Sequence, residues 1–384
     1  MRTEPYLFEL ITPCFCAGAE PSTQAEIRAP AVRGQLRWWF RTLGGFASLQ
    51  PKSVREQEDM IFGAIAGEEG QAGKLIVRVE SHALVTVRKD GKKLGHADGQ
   101  ELGHPNSSAS AYLTFPVQTR EKHGVKEGYS GRGVFTSGTF VLRLLWRGPA
   151  SQWDDIRALT CVFANLGALG FRARRAMGAL HLMNPSLDLK KSLAHFSTPN
   201  AITVFELPAA DARDAVSKLA SWLRGWRQHG QTSHHVPMPP PANPPNPGFD
   251  YALRDHDEGL VGLGRARPSP PASRPSGRTP LGRNNDSFRP AIGLPLVQFF
   301  SSLHKTVNWN ATADGGRFAS PILLRPHRDS TGWRALVIFL DTRQWDYTKP
   351  VHLDSGPSPR TRQVLPDLYN EMKKHAAATM TRFQ

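Results

Sequence analysis

The chain has 384 residues, with 48 Lys plus Arg against 33 Asp plus Glu and a formal net charge of +15. This length suits two domains, each large enough to bury its own core. The sequence pI of about 10.1 favours a polyanionic partner, and nucleic acid is the leading candidate over an anionic membrane surface or a charge that merely keeps the protein soluble.

Composition also argues against a membrane span and against a metal or disulfide framework. No apolar run is long enough to cross a bilayer, and the segment Met1 to Pro13 lacks the basic and apolar regions of a signal peptide. The cysteines Cys14, Cys16 and Cys161 are too few for a disulfide framework or a four-cysteine zinc site. We therefore expect a cytoplasmic protein with no metal and no other cofactor.

The first predicted elements are a strand and a helix. Alternating residues predict a strand from Tyr6 to Thr12. A helix follows, with Pro30 near its start and Gly44-Gly45 behind its end. At about 100° per residue its apolar side chains share one face, which we assign to the core. These side chains are Leu36, Trp39, Phe40 and Leu43.

Arginines occupy another face of this helix. Arg33, Arg37 and Arg41, which we call the arginine stripe, recur at four-residue spacing with no acidic residue between them, and Arg28 precedes them. Because like charges at this spacing repel, we expect an anion against the stripe rather than a merely solvated face. Trp38 lies near the same face and is a candidate for stacking on an unpaired base. The segment therefore predicts an RNA-binding element.

The rest of the N-terminal half continues the alternation of strands and helices. A helical or turn segment with Glu56 and Glu58 comes first. The elements after it are hairpin strands from Lys74 to Glu80 and from Leu84 to Arg88, a polar Gly-rich insertion over residues 89–133, a strand from Val134 to Trp146 and a helix from Ser151 to Leu166. The order of strand, helix, strands and helix is ferredoxin-like.

Residues 167–178, which we call the glycine–arginine loop, follow directly on that helix. Glycines such as Gly170 let a backbone approach a ligand, and Arg172, Arg174 and Arg175 can neutralise phosphates. The loop lacks the GK[ST] ending of a Walker loop and does not follow a strand, as a dinucleotide-binding turn does. The alternative is a helix C-cap followed by an exposed basic turn.

The C-terminal half is predicted to form a second ferredoxin-like domain over residues 200–384, after a first domain over residues 1–190. Its elements are strands from Ile202 to Leu207, Leu294 to Phe300, Pro321 to Leu324 and Ala335 to Leu340, with helices from Asp211 to Gln228 and Leu365 to Ala378. A Pro-rich connector over about residues 230–285 is not expected to pack. The predicted fold class is α+β, with tandem ferredoxin-like (RRM-like) domains, a Gly/Arg-rich loop and long insertions.

The sequence offers no convincing active site, so we expect a non-catalytic protein. His256-Asp257 lies in the predicted connector without further ligands at useful spacing. Asp154-Asp155 fits the first turn of a helix, where acids favour the dipole. His123 and His304 are candidate general bases for metal-independent RNA cleavage, or ordinary surface or core histidines.

Several motifs, in this order along the chain, resemble the RAMP superfamily of CRISPR effector proteins and, more narrowly, the first-subunit family of the Cmr-type, or type III-B, complex. They are Thr12-Pro13 with Gly18-Ala19, Ile27 to Pro30, Arg33 to Arg41, Glu58 with Ile61-Phe62-Gly63, the glycine–arginine loop, Arg289 to Leu296 and Arg317 to Pro321. One departure is Ala176, where the family usually has a glycine after the arginine pair.

The resemblance implies a non-catalytic subunit of an antiviral ribonucleoprotein that helps to capture target RNA paired to the CRISPR RNA. The expected partners are CRISPR RNA, single-stranded target RNA and other Cmr-type effector subunits. Two alternatives remain: a metal-independent RAMP endoribonuclease that processes the CRISPR RNA precursor, and an architectural subunit that binds only partner proteins. The expected RNA-binding residues are Arg28, Arg33, Arg37, Trp38, Arg41, Gly170, Arg172, Arg174, Arg175 and Arg317.

Overall fold

The computed structural model describes residues 1–18, 25–66, 69–86, 113, 118–119, 128–129, 133–227, 249–265, 286–300, 303–354 and 360–383. These residues form a mixed structure of helices and mainly antiparallel sheets. Two compact units are distinguished: the first comprises residues 1–220, 323–342 and 381–384, and the second comprises residues 221–322 and 343–380. Among the described residues, none of the helices is both long and apolar enough to span a membrane.

The elements are numbered in chain order. The helices in the described ranges are α1 (Ala29–Thr42), α2 (Val54–Phe62), α3 (Trp153–Leu166), α4 (Leu189–Leu193), α5 (Ala212–Arg227), α6 (Phe249–Gly262) and α7 (Asp367–Thr379). The strands there are β1 (Arg2–Leu10), β2 (Gly63–Ala66), β3 (Glu69–Ala72), β4 (Leu75–Thr86), β5 (Gln118–Thr119), β6 (Gly128–Tyr129), β7 (Phe135–Trp146), β8 (Leu180–Asn184), β9 (Ile202–Ala209), β10 (Asp286–Ser287), β11 (Leu296–Phe300), β12 (Lys305–Asn310), β13 (Ile322–Asp329), β14 (Gly332–Leu340), β15 (Pro350–Asp354), β16 (Arg360–Val364) and β17 (Thr381–Arg382).

The first sheet of the first unit has the antiparallel order β4-β7-β1-β8. Its strands and the two long helices follow the chain order β1, α1, β4, β7, α3, β8. In β1 the inward side chains alternate, so Tyr6, Phe8 and Leu10 are buried while their neighbours are more accessible. The Phe8 ring stacks on Phe140 of β7 with centroids 5.3 Å apart. The predicted apolar face of α1 is confirmed, because Leu36, Trp39, Phe40 and Leu43 are all fully buried.

A second four-stranded sheet of this unit has the order β13-β14-β9-β17, in which β9 is antiparallel to both β14 and β17. Strand β14 pairs with β9 along its length, from Trp333 opposite Ala209 to Leu340 opposite Ile202. On one face of β14, Leu336, Ile338 and Leu340 join the same hydrophobic core as the side chains of the first sheet and of α1. The two four-stranded sheets of the first unit therefore share this core.

The second unit contains a five-stranded sheet in the order β10-β16-β15-β12-β11, around a core that includes Trp309. Helix α6 carries Asp255, which is fully buried and accepts hydrogen bonds from the backbone N–H groups of Phe288 and Arg289 and from Nε of Arg289. One turn on, buried Glu258 accepts from Arg362 Nε of β16 at 2.7 Å. These paired charges hold α6 against the sheet.

Several strands differ from the sequence-based expectation. The predicted hairpin between Lys74 and Arg88 is wrong within the described residues, where a single long strand, β4, pairs with β7. Register shifts after Val79 and Val85 absorb the breaks in alternation that indicated a turn. Strands β8, β12, β15 and β16 were not predicted, since each is short and mixes polar with apolar residues. An inward position of β16 even holds Arg362.

The sequence predicted a domain boundary near residue 200, but the two compact units divide the chain elsewhere. Strands β9, β14 and most of β13 belong to the first unit, and the second unit is made of two inner segments of the predicted C-terminal domain. The predicted connector is also corrected, because α6 lies within it and carries His256-Asp257. Residues 228–248 and 266–285, including its proline-dense parts, lie outside the described residues, as does most of the predicted 89–133 insertion.

The substitution Asp255→Ala is expected to lower the free energy of unfolding by about 3–5 kcal/mol, because it removes the carboxylate partner of the buried Arg289 guanidinium. The matched control Asp257→Ala, at a half-buried position of the same helix, is expected to change it by under about 1 kcal/mol. Urea unfolding of the full chain measures both. Equal effects of the two substitutions would contradict the role given to Asp255.

Candidate nucleic-acid interface

Helix α1 begins with a positively charged end. Arg28 is its N-cap residue, exposed and in an extended conformation, and its side chain makes no capping hydrogen bond. Pro30 stands in the first turn, where its missing N–H breaks no helical hydrogen bond. The first turn holds no acidic residue. The helix dipole and Arg28 therefore both present positive charge here.

The arginine stripe is paired with an acid from α2. The Oε1 atom of buried Glu58 lies 2.6 Å from Arg37 Nη2 and 2.8 Å from Arg37 Nε. Its Oε2 lies 3.7 Å from Nε of Arg41, whose side chain is 48% exposed. A capping box formed by Ser53 and Glu56 fixes the start of α2. The sequence predicted an anion against the stripe. At Arg37 and Arg41 this anion is the Glu58 carboxylate of the protein itself.

Arg33 is the remaining member of the stripe and is partly buried. Its Nε is buried, and within the described ranges it has no hydrogen-bond partner. A buried donor left unpaired is unfavourable by about 1–3 kcal/mol. Arg33 therefore differs from Arg37, whose Nε is already bound.

Trp38 links α1 to the glycine–arginine loop. Its ring meets Trp39 edge to face, with centroids 4.9 Å apart. The guanidinium carbon of Arg174 lies 4.9 Å from the centroid of a Trp38 ring, in a cation–π contact. This brings together the helix and the loop, which the sequence placed far apart. The ring face that Arg174 covers is closed to a nucleic-acid base, so the predicted stacking role of Trp38 is restricted to its remaining surface.

The glycine–arginine loop is held by backbone hydrogen bonds. The Phe171 N–H donates to the Phe15 carbonyl at 2.8 Å, and the Ala176 N–H donates to the Leu324 carbonyl of β13 at 2.9 Å. Gly167 is indeed the C-cap of α3, as the alternative supposed. The loop that follows is nevertheless bound to two other segments, so the description as a simple exposed turn is wrong.

Four loop positions have a left-handed backbone: Gly170, Arg172, Ala176 and Gly178. Gly170 has φ +80°, and a Cβ there would lie 2.6 Å from the Phe15 carbonyl oxygen. This glycine is therefore required by the packing of the loop on its neighbouring segment. Ala176 has φ +67°, a conformation that glycine adopts more readily. The loop thus keeps a glycine-like backbone at the position where the chain departs from the family pattern.

The loop arginines differ in accessibility. Arg172 is partly buried and donates from Nε to the Leu113 carbonyl at 2.6 Å. Arg174 is partly buried over the Trp38 ring. Arg175 is only 8% exposed, so its side chain offers little surface to a phosphate. Arg317 is exposed and belongs to the second unit, between β12 and β13.

Arg325 of β13, which the sequence did not single out, is buried next to the loop. Its guanidinium donates to the carbonyls of Ala164 and Gly167 at the end of α3, at 2.6 and 2.8 Å. It also donates to the Leu180 carbonyl, just beyond the end of the loop, at 2.6 Å. One cation therefore ties together the two ends of the glycine–arginine loop and satisfies carbonyls at a helix C-terminus. Burial lowers the pKa of Arg325 to about 9, so it stays charged at neutral pH.

Only one of the two candidate general bases lies among the described residues. His304 is exposed, and His123 lies outside the described residues. Sequence reasoning missed His195, whose Nδ1 lies 2.7 Å from Oδ1 of Asp155; Ser48 Oγ donates to Oδ2 of the same carboxylate at 2.6 Å. Asp155 is buried, so the helix dipole alone does not account for it. Across the described positions, no cluster of three or more His, Cys, Asp and Glu side chains could hold a metal ion.

Comparison with known proteins finds one matching family model and two similar proteins. Residues 7–181 match the model of the RAMP superfamily. The CRISPR system Cmr subunit Cmr1-1 of Pyrococcus furiosus is 23% identical over 208 residues, which are 54% of this chain and 55% of that protein. The subunit Cmr1-2 of the same organism is 27% identical over 190 residues, which are 45% of this chain and 90% of that protein. The chain thus spans about half the length of Cmr1-1.

The fold of the whole chain has a counterpart among solved structures. The crystal structure of Cmr1 from Pyrococcus furiosus in its apo form has a TM-score of 0.51 to this chain at 13% identity. The match covers 100% of this chain and 98% of the other. At this identity the likeness concerns the fold alone.

The substitution Arg325→Met is expected to lower the free energy of unfolding by about 3 kcal/mol or more, because it leaves the carbonyls at both ends of the loop without a donor. The control Arg147→Met, at an exposed position, is expected to change it by under about 0.5 kcal/mol. Denaturant unfolding measures both free energies. If Arg325→Met lowers the free energy of unfolding no more than the control does, the role given to Arg325 is contradicted.

Burial and the nearby charge of Arg325 lower the pKa of His327 from its ordinary 6.5 to about 3. Between these values the unfolded chain binds a proton that the folded chain does not. The resulting stability is complete above pH 6.5 and is lost as the pH falls towards 3, by up to about 1.4 kcal/mol per pH unit. His327→Gln should flatten the pH dependence of unfolding between pH 6.5 and 4, and the exposed control His304→Gln should not. An unchanged slope in His327→Gln would show that this group does not govern the acid response.

Proposed function

We propose that this chain, whose residues 7–181 match the RAMP superfamily model and which is similar to Cmr1 subunits, is a non-catalytic, RNA-binding subunit of a type III-B CRISPR-Cas effector ribonucleoprotein. In this role it binds CRISPR RNA, single-stranded target RNA and other Cmr-type subunits in the cytoplasm. It helps to capture target RNA paired to the CRISPR RNA in antiviral defence. Both four-stranded sheets, with their shared strand order, would then be ferredoxin-like units.

The observation that carries the proposal is the contact between Arg174 and Trp38, which joins the basic helix and the glycine–arginine loop into one surface. An arginine matches phosphate oxygens through the in-plane N–H groups of its guanidinium and contacts an aromatic ring through the guanidinium face, so the two interactions are compatible. Arg28 adds an exposed cation at the helix start, and Arg41 adds one in the last turn. Such phosphate contacts bind RNA without reading its sequence.

The predicted RNA-binding residues take different parts in this surface. Arg28, Arg33, Arg41, Arg172 and Arg174 are the proposed phosphate contacts, being exposed or partly buried. The others act indirectly: Arg37 is committed to Glu58, Trp38 supports Arg174, Gly170 permits loop packing and Arg175 is buried. Arg317, in the second unit, stays a prediction that needs its own test.

The double substitution Arg28→Gln with Arg41→Gln is expected to weaken binding of single-stranded RNA by about tenfold or more at low salt, because two phosphate contacts are lost. For the same reason, the slope of log affinity against log salt is expected to decrease in magnitude by about 1.4. The matched control is Arg2→Gln with Arg213→Gln, which removes two other exposed arginines of the first unit. Fluorescence anisotropy at several salt concentrations measures both pairs. Equal losses in the two pairs would mean that binding follows net charge and not this surface.

One observation favours the endoribonuclease alternative enough to test it. His195 is oriented by buried Asp155, as a general base is oriented by an acid, whereas His304 lies exposed in a turn. We expect the purified protein to leave labelled repeat RNA intact in EDTA. Defined cleavage that His195→Ala, His304→Ala or His123→Ala abolishes would instead establish the nuclease.

Absence of any RNA binding at near-physiological salt would favour the architectural alternative.

A further inference from the structure

Glu58 places a negative charge inside the surface proposed to bind RNA phosphates. Its side chain is 9% exposed, and it faces two of the three members of the arginine stripe. A carboxylate in this position weakens the attraction of the stripe for phosphate.

The two arginines are not held equally. Arg37 approaches one carboxylate oxygen with two nitrogens, both within 2.8 Å, and its guanidinium also lies 5.7 Å from the Phe62 ring centroid. Arg41 approaches the other oxygen only to 3.7 Å, beyond hydrogen-bond distance, and about half of its side chain is exposed. Arg37 is therefore committed to Glu58, whereas Arg41 is attracted to it without a hydrogen bond.

We infer that the Glu58 carboxylate competes with the phosphates of a ligand for the arginine stripe. It holds Arg37 in place, whereas Arg41 leaves it to bind a polyanion. This inference rests on the proposed function and deepens it, because it separates a positioning arginine from a contacting one. It also gives the surface a preference for chains of phosphates. A single small anion gains one contact at Arg41 against the competing carboxylate, whereas a chain that also meets Arg28 or Arg33 gains several at once.

The size of the effect follows from the charge removed. In water, one unit charge about 4 Å from another changes an equilibrium by about fivefold, and salt screens this effect. Replacing Glu58 by glutamine removes the charge but keeps a carbonyl oxygen that can accept from Arg37. The packing between α1 and α2 is therefore retained while the competition is removed.

The test is a double-mutant cycle of Glu58→Gln and Arg41→Gln in the full chain, titrated with inorganic polyphosphate and, separately, with single-stranded RNA. Glu58→Gln is expected to tighten both by about fivefold at low salt, with a smaller gain at high salt. In the Glu58→Gln background, Arg41→Gln is expected to cost more affinity than in the wild-type chain. The matched control Asp59→Asn removes a neighbouring acid of α2 and is expected to give a smaller gain.

Three results separate the possibilities. If Glu58→Gln weakens polyphosphate binding, or if Arg41→Gln costs less in its background, Glu58 positions the stripe and does not compete, and the inference is overturned. An equal gain from Asp59→Asn would overturn it as well, because the effect would be one of net charge. If polyphosphate behaves as expected but no variant binds RNA, the inference about Glu58 holds and the proposed function fails. Thermal unfolding of each variant checks that the fold is intact.

Discussion

The buried guanidinium of Arg325 is the contact on which the basic surface of the first unit depends. It lies on β13, yet its hydrogen bonds reach α3 and β8, so it joins the two four-stranded sheets at the point where the glycine–arginine loop leaves and returns. A carboxylate partner would cancel its charge, but backbone carbonyls satisfy its donors without doing so. The loop that it closes can therefore carry further arginines in a fixed geometry, and one of them reaches Trp38.

The formal charge of +15 overstates the cations available to a ligand. Arg325 and Arg175 are buried, and Arg37 is bound to Glu58. The charges that remain accessible include those at the start of α1 and in its last turn. A polyanion that follows this helix meets positive charge at both ends and a competing carboxylate between them, so affinity is set by the number of phosphates engaged and not by any one pair.

The sequence predicted those elements that depend on interactions between residues close together in the chain. The apolar face of α1 was predicted because residue spacing, Pro30 and the glycines behind the helix all act within one segment. The partner of Arg37 was not predicted, since Glu58 lies 21 positions away on another helix and only the tertiary structure brings them together. Arg325 is more remote still, with an acceptor 158 positions away. Helix α6 was missed because its surroundings are rich in proline, and what stabilises it is the pairing of Asp255 with the distant Arg289.

The most direct test of the account is to map where RNA contacts the chain. Single-stranded RNA carrying photoreactive 4-thiouridine, crosslinked to the full protein and analysed by mass spectrometry, should give adducts concentrated in residues 28–41 and 170–174. These adducts should decrease with rising salt. Crosslinks that fall outside both segments, with none on α1 or the glycine–arginine loop, would contradict the assignment of this surface to RNA.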